Sequence, residues 1–474
     1  MISTTESEKK MKNNNIKLAK TKLVATCGPT FKTKEDMLRM FAEGVNVARL
    51  NMSHGSKESH LEVINNIKAA REELNIPVAI LLDTKGPEIR THEMEDNNVQ
   101  YKIGETITIV TDEILGNSKS FSISYEEIDL IVSVGSEIYI DDGKLGLVVT
   151  DVKKGQITTT ALNSHSVSSR RGVNIPGAKL TLPFISDYDK EMILFGLEND
   201  IDSVAASFVS TGEDIIELRK LLDDNGGSNV QIVPKIESAL SLQNLNEIFK
   251  YSDGVMLARG DLAVEIPFQE VPYYQQLIIE KSRAFGIPII IATQMLDSMT
   301  SNPKPTRAEA ADVYYAVMNG TDATMLSGES ASSKFPFAAV NIMRKLQEEA
   351  EKHFNYKASS DRAHAYVTSA NSEIAFEIAS KIAQERFDHV LVFSKAGHVL
   401  RALSMFRPAS IVIGLIEDPA QRYKFSMHHS IFTEMIDEVS SFYDDAKLNK
   451  IITDLGIKGK ILVANSKEMK ELEI

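Results

Sequence analysis

Residues 202–236 read DSVAASFVSTGEDIIELRKLLDDNGGSNVQIVPKI. Two short apolar runs, DSVAASF (202–208) and VQIVPKI (230–236), flank an amphipathic stretch, IIELRKLLDD (215–224), whose apolar residues recur at helical spacing. A strand, a helix and a second strand joined this closely make one βαβ unit, and runs apolar on both faces suit a parallel sheet covered on both sides. The same unit recurs on either side. Strands are predicted at KLVATC (22–27), VNVARLN (45–51), VAILLDT (78–84), GVMLAR (254–259), PIIIAT (288–293) and DATMLS (322–327), with helical patterns such as MLRMFAEG, HLEVINNIKAAREEL and AEAADVYYAVMNG between them. Eight such strands predict an α/β fold, a parallel (β/α)8 barrel.

The rhythm breaks once. After Thr84 the chain has no long helical pattern, and VQYKIGETITIVT, EIYIDDGKLGLVVTDV and QITTTALNSH read as strands with turns at Asp142-Gly143 and Lys154-Gly155. An inserted small β-barrel domain over 86–171 is expected to leave the barrel at the end of its third strand, where it can act as a lid over the C-terminal face. The barrel then spans 17–85 and 172–350. Beyond a linker, NYKASSDRAHAY, a C-terminal α/β domain (356–474) is predicted from the helix SEIAFEIASKIAQER and the strands HVLVFS, SIVIGLI and GKILVAN. Residues 1–16, polar and rich in Lys and Asn, are expected to form a flexible tail.

Composition bounds the function. With 52 Lys and Arg against 66 Asp and Glu, the formal net charge of −14 argues against general binding to nucleic acid or to a membrane surface. The single cysteine, Cys27, excludes an intrachain disulfide framework and a Cys-based zinc cluster. The N-terminus lacks a signal peptide's apolar core, and no run approaches the ~18 apolar residues of a membrane helix. A cytoplasmic protein is expected.

Charged and hydroxyl residues gather at the C-terminal ends of the barrel strands. Arg49, Asn51 and Ser53 close the second strand and Asp83 and Thr84 the third; oxygens of this kind either ring a hard cation or cap turns. Lys235 and Glu237 close the fifth, two residues apart and so on one face. A lysine there can be a Schiff-base residue, a structural ion pair or an electrostatic catalyst. Glu237 and Asp261 supply two carboxylates from adjacent strands, sparse ligation that suits Mg²⁺. Gly260 lets the backbone approach an anion closely. Neither a Walker A sequence, nor HExxH, nor a nucleophile-elbow serine occurs.

These stretches, TKLVATCGPT, GVNVARLNMSHG, LLDTKGPEIRT, RRGVNIPGAKLTLP, VAASFV, IVPKIES, LARGDLAVEIP, IATQMLDSM, PTRAEAADVYYAV and DATMLSGESA, closely resemble the pyruvate kinases, in family order. The resemblance implies transfer of a phosphoryl group from phosphoenolpyruvate to ADP, giving pyruvate and ATP, with Mg²⁺ (or Mn²⁺) and usually K⁺, in a homotetramer. By the same resemblance Asn51, Ser53, Asp83 and Thr84 correspond to K⁺ ligands, and Glu88 to a residue type that accompanies K⁺ dependence. Glu237 and Asp261 correspond to Mg²⁺ ligands, and Lys235 to the lysine that stabilises the transferring phosphoryl group. Arg49 is similar to the arginine that binds the substrate phosphate, while Gly260, Asp261 and Thr293 fall where the substrate is held, Thr293 in a catalytic position. His54, Arg90 and Arg171 fall where the family contacts ATP, Arg171 replacing a lysine, and Asp142 resembles a lid residue. The proton donor to the enolate stays open among a water, Thr293 and a relay through Ser327. Ala263 and Ser210 depart from the family pattern, which has glycine and arginine there. SKAGHV and the C-terminal ILVANSKEMKELEI lack the loops of members activated by fructose 1,6-bisphosphate, so that effector is not expected; a plain turn or another phosphorylated effector at Lys395, His398 and Arg401 both fit.

Overall fold

The computed structural model describes residues 17–178 and 180–474; the tail expected over 1–16 lies outside the described residues. Eight strands close into a barrel: β1 (Lys22–Thr26), β2 (Val47–Asn51), β3 (Ala79–Asp83), β4 (Ser203–Ala206), β5 (Gln231–Ile236), β6 (Val255–Ala258), β7 (Ile289–Ala292) and β8 (Ala323–Leu326). Every pair of neighbours runs parallel, and β8 closes on β1 with Lys22 opposite Ala323. All eight predicted strands are present, trimmed at their ends.

Alternation along the strands sorts the residues. Val24, Val47, Leu81, Ala205, Val233, Met256 and Ile290 fill the barrel interior, while Leu23, Ala48, Ile80, Val204 and Ile232 face outward against the helices. Two residues further along the same inward face come Thr26, Arg49, Asp83, Ser207 and Lys235, all on the C-terminal rim. The register pairs Thr26 with Arg49 and Asn51 with Asp83. The outer helices start at local signals: Ser56 and Ser59 form a reciprocal cap on Lys57–Leu74, as Thr306 and Glu309 do on Arg307–Met318.

β3 pairs directly with β4, so the intervening chain leaves and re-enters the barrel at one seam. That chain builds a seven-stranded, mostly antiparallel sheet whose own core includes Ile107, Phe121, Ile138, Leu147 and Ile157. A five-stranded sheet follows the barrel, in the order Ile431–Met435, Val412–Ile416, His389–Phe393, Lys460–Ala464, Met469–Glu473, with only the last strand antiparallel. The expected linker is helical over Tyr356–Ala363: Asn355 caps it by accepting from Ala358 N, and Ser359 and Ser360 are buried beneath it. Met427, from the C-terminal part, joins the barrel-interior cluster. Among the described residues no helix is long and apolar enough to cross a membrane.

Candidate active site

Lys235 projects from β5 onto the C-terminal rim. Its ammonium stands 3.4 Å from Asp83 Oδ1 and 3.4 Å from Glu237 Oε2, and donates to Ser207 Oγ at 2.9 Å. Asp83 is also held by Arg49, whose Nε donates to Asp83 Oδ2 at 2.6 Å and whose Nη1 donates to Thr26 Oγ1 at 2.9 Å. Two cations thus share one carboxylate in a buried floor.

The surroundings separate the carboxylates. Burial works to raise Asp83, but the charges of Arg49 and Lys235 outweigh it and hold the group below its usual range. At Glu237 burial, with repulsion from Asp261 and Asp83, outweighs the charge of Lys235 and the hydrogen bond from Phe208 N, so it is pushed up. Asp261 is raised as well, chiefly by burial and also by the nearby charge of Asp142. Lys235 is pushed up because Asp83, Glu237 and Asp261 together outweigh its own burial. Glu237 Oε1 accepts from Phe208 N at 2.8 Å, while its buried Oε2 accepts no hydrogen bond. A buried carboxylate oxygen without a donor is costly unless a cation meets it.

Above this floor lies a cleft of about 650 Å³ between the barrel rim and the inserted sheet, lined among others by His54, Glu88, Arg90, Asp142, Arg171 and Asp261. Arg90 pairs with Glu88 at 2.6 Å and also donates to the Arg170 carbonyl. The positions expected near nucleotide therefore share one cleft with Asp261. Thr293 sits at the end of β7, where Gly260 N donates to its Oγ1 at 2.7 Å. Asn51 lies beside Asp83 in register, with its Oδ1 accepting from Ser53 N, and Thr84 carries its carbonyl toward Ser207, whose hydroxyl donates to it at 2.6 Å. Lys395, far from this site, pairs with Glu417 at 3.5 Å. Cys27 follows β1, where burial pushes its thiol up, away from the reactive thiolate.

Residues 18–340 match the family described as pyruvate kinase, barrel domain. A pyruvate kinase of Bacillus licheniformis is 41% identical over 418 residues, covering 88% of this chain and 72% of that protein. One of Clostridium acetobutylicum is 40% identical over 426 residues, covering 90% of each. The crystal structure of a pyruvate kinase from Cryptosporidium parvum superposes with a TM-score of 0.90 at 33% identity, over 96% of both chains. The chain belongs to the pyruvate kinase family. Pyruvate kinases are phosphotransferases, and a floor of buried cations beneath an open cleft is what phosphoryl transfer asks of a protein.

Three residues that hold this cluster and its neighbouring loops give no signal in the sequence. Ser207 links Lys235 to the Thr84 carbonyl, and as a small hydroxyl at the end of an apolar run it gives no local signal. Asp189 accepts from Lys85 N and Gly86 N, fixing the loop after β3. Arg259 donates to the carbonyl of Thr293 at 2.8 Å and pairs with Asp312 at 2.7 Å. Its grip falls where Thr293 and Gln294 take left-handed φ of 69° and 53°, an unusual conformation for a β-branched residue.

Proposed function

We propose that this chain catalyses phosphoryl transfer from phosphoenolpyruvate to ADP, giving pyruvate and ATP. The observation that carries the reading is the Lys235 ammonium, held between Asp83 and Glu237 and within electrostatic reach of Asp261, which lines a cleft with His54, Arg90 and Arg171. Arg49 and Lys235 hold the phosphate of the substrate, and Lys235 faces the oxygens over which negative charge spreads as the group transfers. Gly260, Asp261 and Thr293 hold the carboxylate and enolate end. His54, Arg90 and Arg171 hold the nucleotide, and Asp142 reaches the site from the inserted sheet acting as a lid.

The donor sets fit two kinds of cation. Glu237 and Asp261 would hold Mg²⁺ or Mn²⁺: one has a buried oxygen without a donor and both are raised by burial, costs that a divalent ion relieves. With two carboxylates from the protein, the ion would take its other ligands from water and substrate. Asn51, Ser53, Asp83 and Thr84 would hold K⁺ through neutral and carboxylate oxygens. Bound there, the ions neutralise substrate charge that a protein of net charge −14 cannot neutralise globally.

A coupled assay tests the reading. Purified protein with phosphoenolpyruvate, ADP, Mg²⁺ and K⁺ forms pyruvate, and most activity is lost when K⁺ is replaced by tetramethylammonium. No pyruvate under these conditions would leave a metabolite-binding relative without catalysis.

A further inference from the structure

The inserted sheet carries an ionic cluster that reaches the mechanism only through Arg171. Asp141, whose side chain is 12% exposed, meets His165 Nε2 at 2.9 Å, Lys144 Nζ at 3.2 Å and Arg171 Nη1 at 3.7 Å. The partners come from three segments: the turn that holds Asp141, the strand His165–Val167, and the loop before the strand Gly172–Asn174.

The turn is conformationally demanding. Asp141, Asp142 and Gly143 take successive φ of 56°, 57° and 81°, and two consecutive non-glycine residues in the left-handed region persist only where their surroundings hold them. The tip reaches the barrel: a Cβ on Gly143 would stand 3.5 Å from Val264, in the helix Arg259–Glu265 that carries Asp261. At the other end of the cluster, Arg171 lines the cleft and donates through Nε to Ser168 Oγ. The Asp141 carboxylate therefore ties the turn that presents Asp142 to His165 by a hydrogen bond and faces the guanidinium at the cleft across a 3.7 Å ion pair. Lys144 and Arg171 have side chains 56% and 49% exposed, flexible partners that cannot set the carboxylate's orientation, whereas His165 is 25% exposed and anchored in a paired strand opposite Tyr101.

We infer that Asp141 and His165 are positioning residues that hold Arg171 and the Asp142 turn ready for the nucleotide diphosphate. His165 fixes the carboxylate, the carboxylate fixes Arg171, and Arg171 meets the polyphosphate. The inference rests on the reading of Arg171 as a nucleotide contact.

The test is steady-state kinetics on the full chain, with thermal melting alongside. Asp141→Asn keeps a side chain that tolerates the left-handed turn, and His165→Phe keeps a ring but no donor. Each raises KM for ADP by about tenfold, the scale of one lost hydrogen bond to a charged group, while kcat and KM for phosphoenolpyruvate stay within about twofold. His165→Gln, which can still donate to Asp141, recovers most of the ADP affinity. An unmoved KM for ADP in both disruptive variants overturns the inference, as does a loss of kcat that tracks a lowered Tm with KM unchanged. Inactive wild-type protein would count against the proposed reaction; active wild type with indifferent variants counts against the positioning role alone.

Discussion

Lys235 Nζ and Glu237 Oε2 stand 3.4 Å apart, the lysine partly and the glutamate fully buried, and that glutamate oxygen accepts no hydrogen bond from any side chain or backbone group. The ammonium is thus poised among carboxylates without being consumed by one of them, free to follow a phosphoryl group as its charge spreads. Because that charge is greatest in the transition state, Lys235→Met lowers kcat by roughly 10³-fold or more while substrate affinity falls only a few-fold. Rapid-quench measurement of phosphoryl transfer, with equilibrium binding of phosphoenolpyruvate, separates the two effects. A large change in binding with kcat preserved would make Lys235 a ground-state contact only.

Glu237 supports a second prediction. Replacing it by glutamine keeps the shape and the Phe208 N contact at Oε1 but removes the charge that a divalent ion would meet. Glu237→Gln weakens Mn²⁺ binding, followed by electron paramagnetic resonance, by roughly tenfold or more. Without metal the variant melts no lower than wild type, because an underpartnered buried carboxylate costs stability. Unchanged Mn²⁺ affinity would place the ion elsewhere.

The barrel was legible because its strands are buried on both faces, so that runs such as AILL in β3 and IIIA in β7 stand out against polar surroundings. The rim was legible because alternation carries Arg49, Asp83 and Lys235 onto the inward face where apolar residues stop. The two strands of the C-terminal sheet that sequence did not predict, Ile431–Met435 and Met469–Glu473, are its two edges. An edge strand is half solvated and need not read as an apolar run: IFTEM and MKELE carry glutamates and a lysine. The helix over Tyr356–Ala363 was hidden because its composition is that of a polar linker, with a cap from Asn355 and small residues on its buried face. Contacts between the barrel floor and the C-terminal part join residues far apart in sequence and leave no local trace.

The strongest of those contacts is the pair between Arg407 and Asp322. Arg407 Nη2 donates to Asp322 Oδ2 at 2.6 Å and to the Gly320 carbonyl at 2.7 Å, and neither side chain is more than 2% exposed. Asp322 also accepts from Ile289 N, Ser404 Oγ and His429 N, so it joins the starts of β7 and β8 to three points of the C-terminal part. Removing one partner strands the other's charge in the interior. Arg407→Leu or Asp322→Leu alone therefore destabilises the fold by about 3–5 kcal/mol, whereas the double replacement recovers much of the loss. Chemical denaturation of the three variants checks the cycle; additive losses would mean that the charges act independently.

Two histidines at the same junction predict the response to acid. His428 and His429 are buried, at 2% and 4% exposure; His428 has neither ring nitrogen in a hydrogen bond and packs on Phe425, with ring centroids 5.0 Å apart. Burial is the main cause holding both far below the usual histidine range. The charges of Arg401, Lys22 and Arg407 add to it at His428, and those of Arg407, Lys20, Lys22 and Arg283 at His429. The folded protein thus keeps both rings neutral at pH values where the unfolded chain, titrating near pH ~6.5, takes up protons. The unfolded state then binds more protons, so stability rises with pH through this window and is lost as pH falls below about 6.5, by up to about 1.4 kcal/mol per pH unit for each ring. His428→Phe keeps an aromatic ring against Phe425 and removes one of the two protonation sites. Unfolding free energies between pH 5.5 and 7.5 accordingly show a shallower rise with pH in this variant than in the wild type. Equal slopes in the two proteins would mean that His428 does not sense acid at the floor of the barrel.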